Sequence, residues 1–168
     1  MGAGTIIASA IVIVLLIITG YVLIGGTLAT AQIMMAAQRA AAEKENQRIH
    51  TQIEILNVSA NLGSSQALIE VKNTGSELIR DFDHMEVYLL QNQTPDAYIP
   101  YTYTNLSVPF NYIYRIIPPD LVHPGLLDPG EVANITVLYD ATRGDPSWVK
   151  VTTANGVYDS AYLPCSLC

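Results

Sequence analysis

Two cysteines, Cys165 and Cys168, close the chain with Ser-Leu between them. The spacing is that of a redox pair, but no strand-then-helix setting precedes it to lower a thiol pKa. As metal ligands the two thiolates supply half of a closed site, and His50, His84 and His123 are scattered along the sequence. The simpler reading is a terminal disulfide, within the chain or to a neighbouring copy. Asp81 and Asp83 flank Phe82, and with Asp128 or Glu131 they hold enough carboxylate for a hard cation. No loop spacing fixes such a site, and acidic turns are usually just solvated. The sequence has no His-Glu-x-x-His pair, no Gly-x-Ser-x-Gly elbow and no phosphate loop. Residue chemistry therefore predicts a protein that is not an enzyme and carries no cofactor or metal.

One further kind of chemistry is written into the chain. Asn57-Val-Ser, Asn92-Gln-Thr, Asn105-Leu-Ser and Asn134-Ile-Thr each fit the acceptor pattern for N-glycosylation. All four follow residue 50, which favours an extracytoplasmic location for that part of the chain. The basic residues Arg39, Lys44 and Arg48 point the other way by the positive-inside rule, but long domains cross membranes largely regardless of such charges.

The elements that must carry these residues fall into two parts. From Met1 to Gln38 there is no charged side chain, and Ile6–Met35 is almost wholly apolar. About 20 such residues span a hydrocarbon layer as a helix, so this run is longer than one crossing needs. Its apolar residues lie all round, unlike the one-sided stripe of a core helix. It lacks the basic start and the short apolar core of a secretory signal, and is read as retained. Helix formers continue through Ala36, Ala37, Ala40, Ala41 and Glu43–Arg48, which predicts one helix over about 5–50. The pairs Ala36/Ala40 and Ala37/Ala41 have small-xxx-small spacing, a candidate helix-packing seam, although high helix propensity alone accounts for alanine here. Gly25-Gly26 is expected to loosen the helix.

After residue 50 the hydrophobic period changes to alternation. Strands are expected over 51–61, 66–72, 82–90, 98–104, 112–117, 132–139, 148–153 and 157–163. The buried face of 66–72 stays open between Leu68 and its neighbours. Pro95, Pro100, Pro109 and Pro118-Pro119 mark 98–104 and 112–117 as edge strands or an excursion. Asn73-Thr-Gly-Ser76, Leu127-Asp-Pro-Gly130 and Asn155-Gly156 are turns. Short strands at this spacing with almost no helix predict an immunoglobulin-like β-sandwich over 51–168, and the whole chain is an α+β protein. Ten tyrosines against two phenylalanines suggest a polar-edged β surface, while a net charge of −7 argues against nucleic acid.

Three stretches together resemble the archaellin-related proteins of archaea. They are the helix Gly2–Arg39, the segment Ile69-Glu-Val-Lys-Asn-Thr-Gly-Ser76, and Leu127-Asp-Pro-Gly-Glu-Val-Ala-Asn-Ile-Thr-Val137. That family comprises archaellins, archaeal type IV pilin-like subunits and the archaellum accessory proteins FlaF and FlaG. Filament subunits look like chains cut after a short basic leader, and no basic residue precedes the apolar run here, so an accessory protein is expected. The resemblance implies a part of the archaellum stator: a helix in the cytoplasmic membrane and a β domain below the surface layer, bound to surface-layer protein or a sister accessory protein. The alternative is a filament subunit that polymerises through its helix, and either way a homo-oligomer is expected. A surface adhesin unrelated to motility is a third reading.

Overall fold

The computed structural model describes residues 3–61, 63–91, 98–104, 111–120 and 122–163. It divides into two compact units, residues 1–45 and 46–168. The first lies within a single α-helix, α1 (Ala3–His50), whose last turn belongs to the second unit. The hydrogen-bonded helix runs unbroken through Gly25-Gly26, so the glycines do not interrupt it.

The second unit is a β-sandwich of eight strands: β1 (Ile53–Asn61), β2 (Gln66–Asn73), β3 (Glu86–Gln91), β4 (Tyr98–Tyr103), β5 (Asn111–Ile116), β6 (Val132–Leu138), β7 (Pro146–Thr152) and β8 (Tyr158–Tyr162). They pair in the order β1-β2-β6-β5-β4-β3-β7-β8. All the ladders are antiparallel except β4–β5, a narrow parallel contact of Thr102 with Asn111 and Tyr103 with Tyr112. The two ends of this sheet approach each other without a ladder. There the backbone N–H of Ile55 donates to the Asp159 carboxylate at 2.8 Å, so a side chain closes the seam.

Strand phase explains the core. Ala67, Ile69 and Val71 of β2 turn inward and Leu68 outward, which settles the face left open by the sequence. In β1, Ile53 and Val58 are both buried although five apart, because a bulge between Ile55 and Asn57 shifts the register. Ile135 and Val137 of the neighbouring β6 extend that face, and Met85, Val87 and Leu89 complete the core with Val149 and Val151 of β7. Phe82 is buried but precedes β3: the Met85 N–H donates to its carbonyl at 3.2 Å in a turn.

The edge-strand expectation for 98–104 and 112–117 is overturned, since β4 and β5 lie in the middle of the strand order. Proline is tolerated because the two strands share so little ladder. Pro100 pairs with Tyr88 of β3, and pairing with β5 starts only at Thr102. No bond on that side is forfeited by the missing N–H.

The tyrosines divide between surface and core. Tyr98, Tyr158 and Tyr162 are exposed, whereas Tyr101, Tyr112 and Tyr139 are buried. The Tyr112 hydroxyl donates within the loop before β3, lying 2.8 Å from the Phe82 carbonyl and 3.0 Å from that of Met85. Burial pushes the Tyr101 phenol up to about 12 and raises that of Tyr112 as well. A tyrosine in the unfolded chain ionises near pH 10. The folded-state values are higher, so the stability from these two groups is complete below about pH 10 and is lost as pH rises through the folded values. Absorbance titration should show Tyr101 and Tyr112 ionising only as the sandwich unfolds. A single transition near pH 10 in a still-folded protein would refute this.

Candidate functional site

The helix surface is the first part of the site. Ile6–Met35 is exposed on every side, with Leu16 at 65% and Leu23 at 68% of full accessibility. Its apolar side chains show no preferred face. The serine and threonine hydroxyls in the run turn back on the helix: Ser9 donates to the Ile6 carbonyl at 2.9 Å, Thr19 to Leu15 at 2.9 Å, Thr27 to Leu23 at 3.1 Å and Thr30 to Gly26 at 2.9 Å. Such back-bonding leaves these groups without need of water, as hydrocarbon or a packed helix bundle requires. Ala36, Ala37, Ala40 and Ala41 are exposed on the same helix. Arg48 and His50 in the last turn suit the negative end of the helix dipole.

The second part is a clamp on that last turn, built from the two turn motifs of the sandwich. The carbonyl of His50 accepts from the N–H groups of Ser76 (2.9 Å) and Glu77 (3.1 Å), and the carbonyl of Gln52 from those of Thr74 (2.9 Å) and Gly75 (3.0 Å). A helix ends with carbonyls that have no internal partner, and the 74–77 turn supplies partners for the backbone at this end. The approach is close enough that a Cβ on Gly75 would lie 2.5 Å from both the Gln52 nitrogen and the His50 carbonyl oxygen. Only glycine fits.

Asn73, fully buried at the end of β2, holds the clamp together. Its side-chain amide donates to the carbonyls of Glu77 (2.8 Å) and Leu127 (3.0 Å), and its side-chain oxygen accepts from the Gly75 N–H (3.0 Å). Its backbone exchanges bonds with the second motif, N–H to the Glu131 carbonyl at 3.0 Å and carbonyl to the Gly130 N–H at 2.8 Å. Ile79 and Leu127 form an isolated bridge between the two stretches. Gly130 sits at φ 88°, the left-handed position that the Pro-Gly turn demands. From the other side, Asn155 of the β7–β8 turn donates at 2.6 Å to the Thr51 hydroxyl, which donates in turn to the Gln47 carbonyl at 2.8 Å.

The carboxylates considered for a cation serve turns instead. Asp81 accepts from the His84 backbone N–H and ring, and by that bond and its charge holds the His84 imidazole above its ordinary value. Asp128 accepts from the backbone N–H and ring nitrogen of His123, and Glu131 accepts from the Asp128 N–H. Asp83 is exposed. Among the described residues no group of three or more His, Cys, Asp or Glu side chains gathers around one point.

Two sequons can be placed. Asn57 is exposed on β1, just past the bulge, and Asn134 is half-buried in the central strand β6 with its side-chain oxygen shielded from solvent. Both lie in one cross-strand line, Asn57–Glu70–Asn134–Arg115. Asn92, Asn105, Cys165 and Cys168 lie outside the described residues. Sequence reasoning read Asn73–Ser76 and Leu127–Gly130 as separate turns and missed the clamp they form. The available signal was an asparagine and two glycines at fixed places in those turns.

A curated relative, an uncharacterized protein of Archaeoglobus fulgidus, is 27% identical over 161 residues, covering 96% of this chain and 95% of its own. Two solved structures are similar at 20% identity and a TM-score of 0.49 over 66% of this chain. One is the archaellum periplasmic stator protein FlaG from Sulfolobus acidocaldarius, with 97% of that chain covered, and the other is the FlaF–FlaG stator complex of the same organism, with 87% covered. So distant a likeness carries no functional weight. The model of the archaeal-type flagellin family matches residues 2–162, helix and sandwich together. The chain thus belongs to the archaeal-type flagellin family.

Proposed function

We propose that this protein is a non-enzymatic, membrane-anchored component of the archaellum that acts in its static part. In this reading the helix sits in the cytoplasmic membrane and the sandwich lies outside it, bound to surface-layer protein or to a sister accessory protein. The observation that carries the anchor is the all-round apolar helix whose serine and threonine hydroxyls are satisfied internally. Water is a poor solvent for such a surface, and hydrocarbon is a good one. The clamp suits a mechanical role, because it ties the last helical turn to the sandwich through backbone bonds at four consecutive residues, Thr74–Glu77.

A filament subunit is the second reading, and two observations favour it. The matched family is that of the flagellins, and the apolar run exceeds one bilayer crossing. Filament cores bury such helices against copies of themselves, and the alanine pairs at 36/40 and 37/41 would then lie in the packing seam. Protein purified from its native cells separates the two. The static role predicts material that is extracted by detergent as small oligomers and is held by a sister accessory protein or the surface layer. Recovery as sheared filaments, with Ile6–Met35 protected in the absence of lipid, would establish the filament role instead.

A further inference from the structure

The two sequons whose structure is described differ sharply in access. In β1 the residues Asn57-Val58-Ser59 alternate, so the Asn57 carboxamide and the Ser59 hydroxyl are both exposed while Val58 is buried between them. Among the described residues neither of the two outward side chains has a hydrogen-bond partner. β1 is also an end strand, laddered to β2 alone, and the bulge beside Asn57 leaves Leu56 without a partner there. A transferase must bend the backbone of its acceptor to gather the asparagine and the hydroxyl two residues on. At Asn57 a single ladder, already interrupted, resists that bend.

Asn134-Ile135-Thr136 lies instead in β6, which is laddered on both sides, with Glu70 and Arg115 flanking Asn134. The Asn134 side chain is half-buried, and its oxygen is shielded from solvent. Bending the chain there would break two ladders and strand their buried backbone groups. The end strand has a further need that a modification meets. Exposed sheet edges invite pairing with other chains, and natural sheets cover or distort them. A bulky, solubilising sugar chain on Asn57 would shield β1 in that way.

We propose that Asn57 is an N-glycosylation site, modified on the folded sandwich, and that Asn134 is left bare. The donor is an oligosaccharide joined through phosphate to a membrane lipid and presented by a separate transferase. The Asn57 amide nitrogen forms the bond to the anomeric carbon and the carbon–oxygen bond to phosphate breaks. The lipid phosphate leaves, and the amide proton passes to a base of the transferase. This rests on the sandwich lying outside the cytoplasmic membrane, which the static and filament readings share. Trypsin separates the two sites, because Asn57 falls in the peptide Ile49–Lys72 and Asn134 in Ile116–Arg143. Mass spectrometry of the full chain from its native cells should show a saccharide on most copies of the first peptide and on none of the second. Ser59→Ala should abolish the addition and Ser59→Thr retain it, since either hydroxyl completes the acceptor pattern. In a parallel sample of whole cells, a membrane-impermeant amine reagent reports the side of the membrane through Lys72 and Lys150. Labelled lysines with a bare Asn57 overturn the proposal alone, whereas unlabelled lysines with a bare Asn57 overturn the outside location as well. A saccharide on both Asn57 and Asn134 would mean that transfer precedes folding, and would overturn the selection of Asn57.

Discussion

Gly75→Ala is expected to destabilise the sandwich by about 3 kcal/mol, the upper end of what overpacking a well-packed site costs. The new methyl carbon would sit 2.5 Å from two backbone atoms, the Gln52 nitrogen and the His50 carbonyl oxygen. No flexible side chain stands there to move aside. Relief therefore requires the 74–77 turn to lift off the helix end, which breaks the bonds to His50 and Gln52 together. Asn73→Ala should cost a similar amount by a different route. It strands the carbonyl of Glu77, at about 1–3 kcal/mol for a polar group left unpaired, and takes one of two bonds each from the Leu127 carbonyl and the Gly75 N–H, which keep Ile79 and Gln52 as partners. The alanine methyl creates no clash, so the two variants separate crowding from lost bonds. Exposed Thr74 is the control, with Thr74→Ala expected within about 0.5 kcal/mol of the native chain. Thermal unfolding of a fragment spanning 46–168 should show a Tm lower by roughly 10 °C for each of the first two variants. A Gly75→Ala protein with unchanged Tm would mean the close approach does not exist.

Removing the first 45 residues should convert a detergent-requiring protein into a freely soluble one that remains folded. The argument is one of magnitude. Each buried Ile, Leu or Val side chain gains about 1.5–3 kcal/mol on leaving water, and the exposed run holds more than a dozen of them, on the order of 20 kcal/mol or more in all. A single charge such as Leu16→Lys, at about 3 kcal/mol near the centre of a membrane helix, should weaken the anchor without releasing it. The position of the cut also matters. A fragment starting at Asn46 keeps the helical turn that the clamp grips, whereas one starting at Ile53 deletes His50, Thr51 and Gln52 and leaves the N–H groups of Thr74, Gly75, Ser76 and Glu77 without those partners. The longer fragment should therefore be clearly the more stable by urea denaturation. Equal stability would place the end of the folded domain at residue 53.

Much of this architecture can be read from residue order. Alternation locates β2, β6 and the β7–β8 hairpin to within two residues, because strands with one buried face must repeat every second position. The turn at Asn155-Gly156 is where its chemistry puts it, with Gly156 at φ 83°. Other features depend on contacts between distant residues and leave no local trace. The bulge after Ile55 looks in sequence like a break in the pattern, and only the pairing with β2 shows that it brings Val58 back to the core. Pro100 looked like an edge signal because a proline records the missing N–H but not whether a neighbour wanted it. Phe82 looked like the start of a strand because burial in a turn and burial in a strand use the same residue types. The clamp joins residues 50, 73 and 127, and its parts read as a helix end and two unrelated turns until the chain is folded.

Amide hydrogen exchange on the full chain in lipid bilayers tests the central claim most directly. That claim is that an apolar helix works in hydrocarbon while its last turn is built into the sandwich. The account predicts slow exchange throughout Ile6–Met35, and slow exchange at Thr74, Gly75, Ser76 and Glu77, where a free turn would exchange rapidly. Fast exchange at those four amides in an otherwise protected sandwich, or a chain whose first helix is open to water in the presence of lipid, would contradict it.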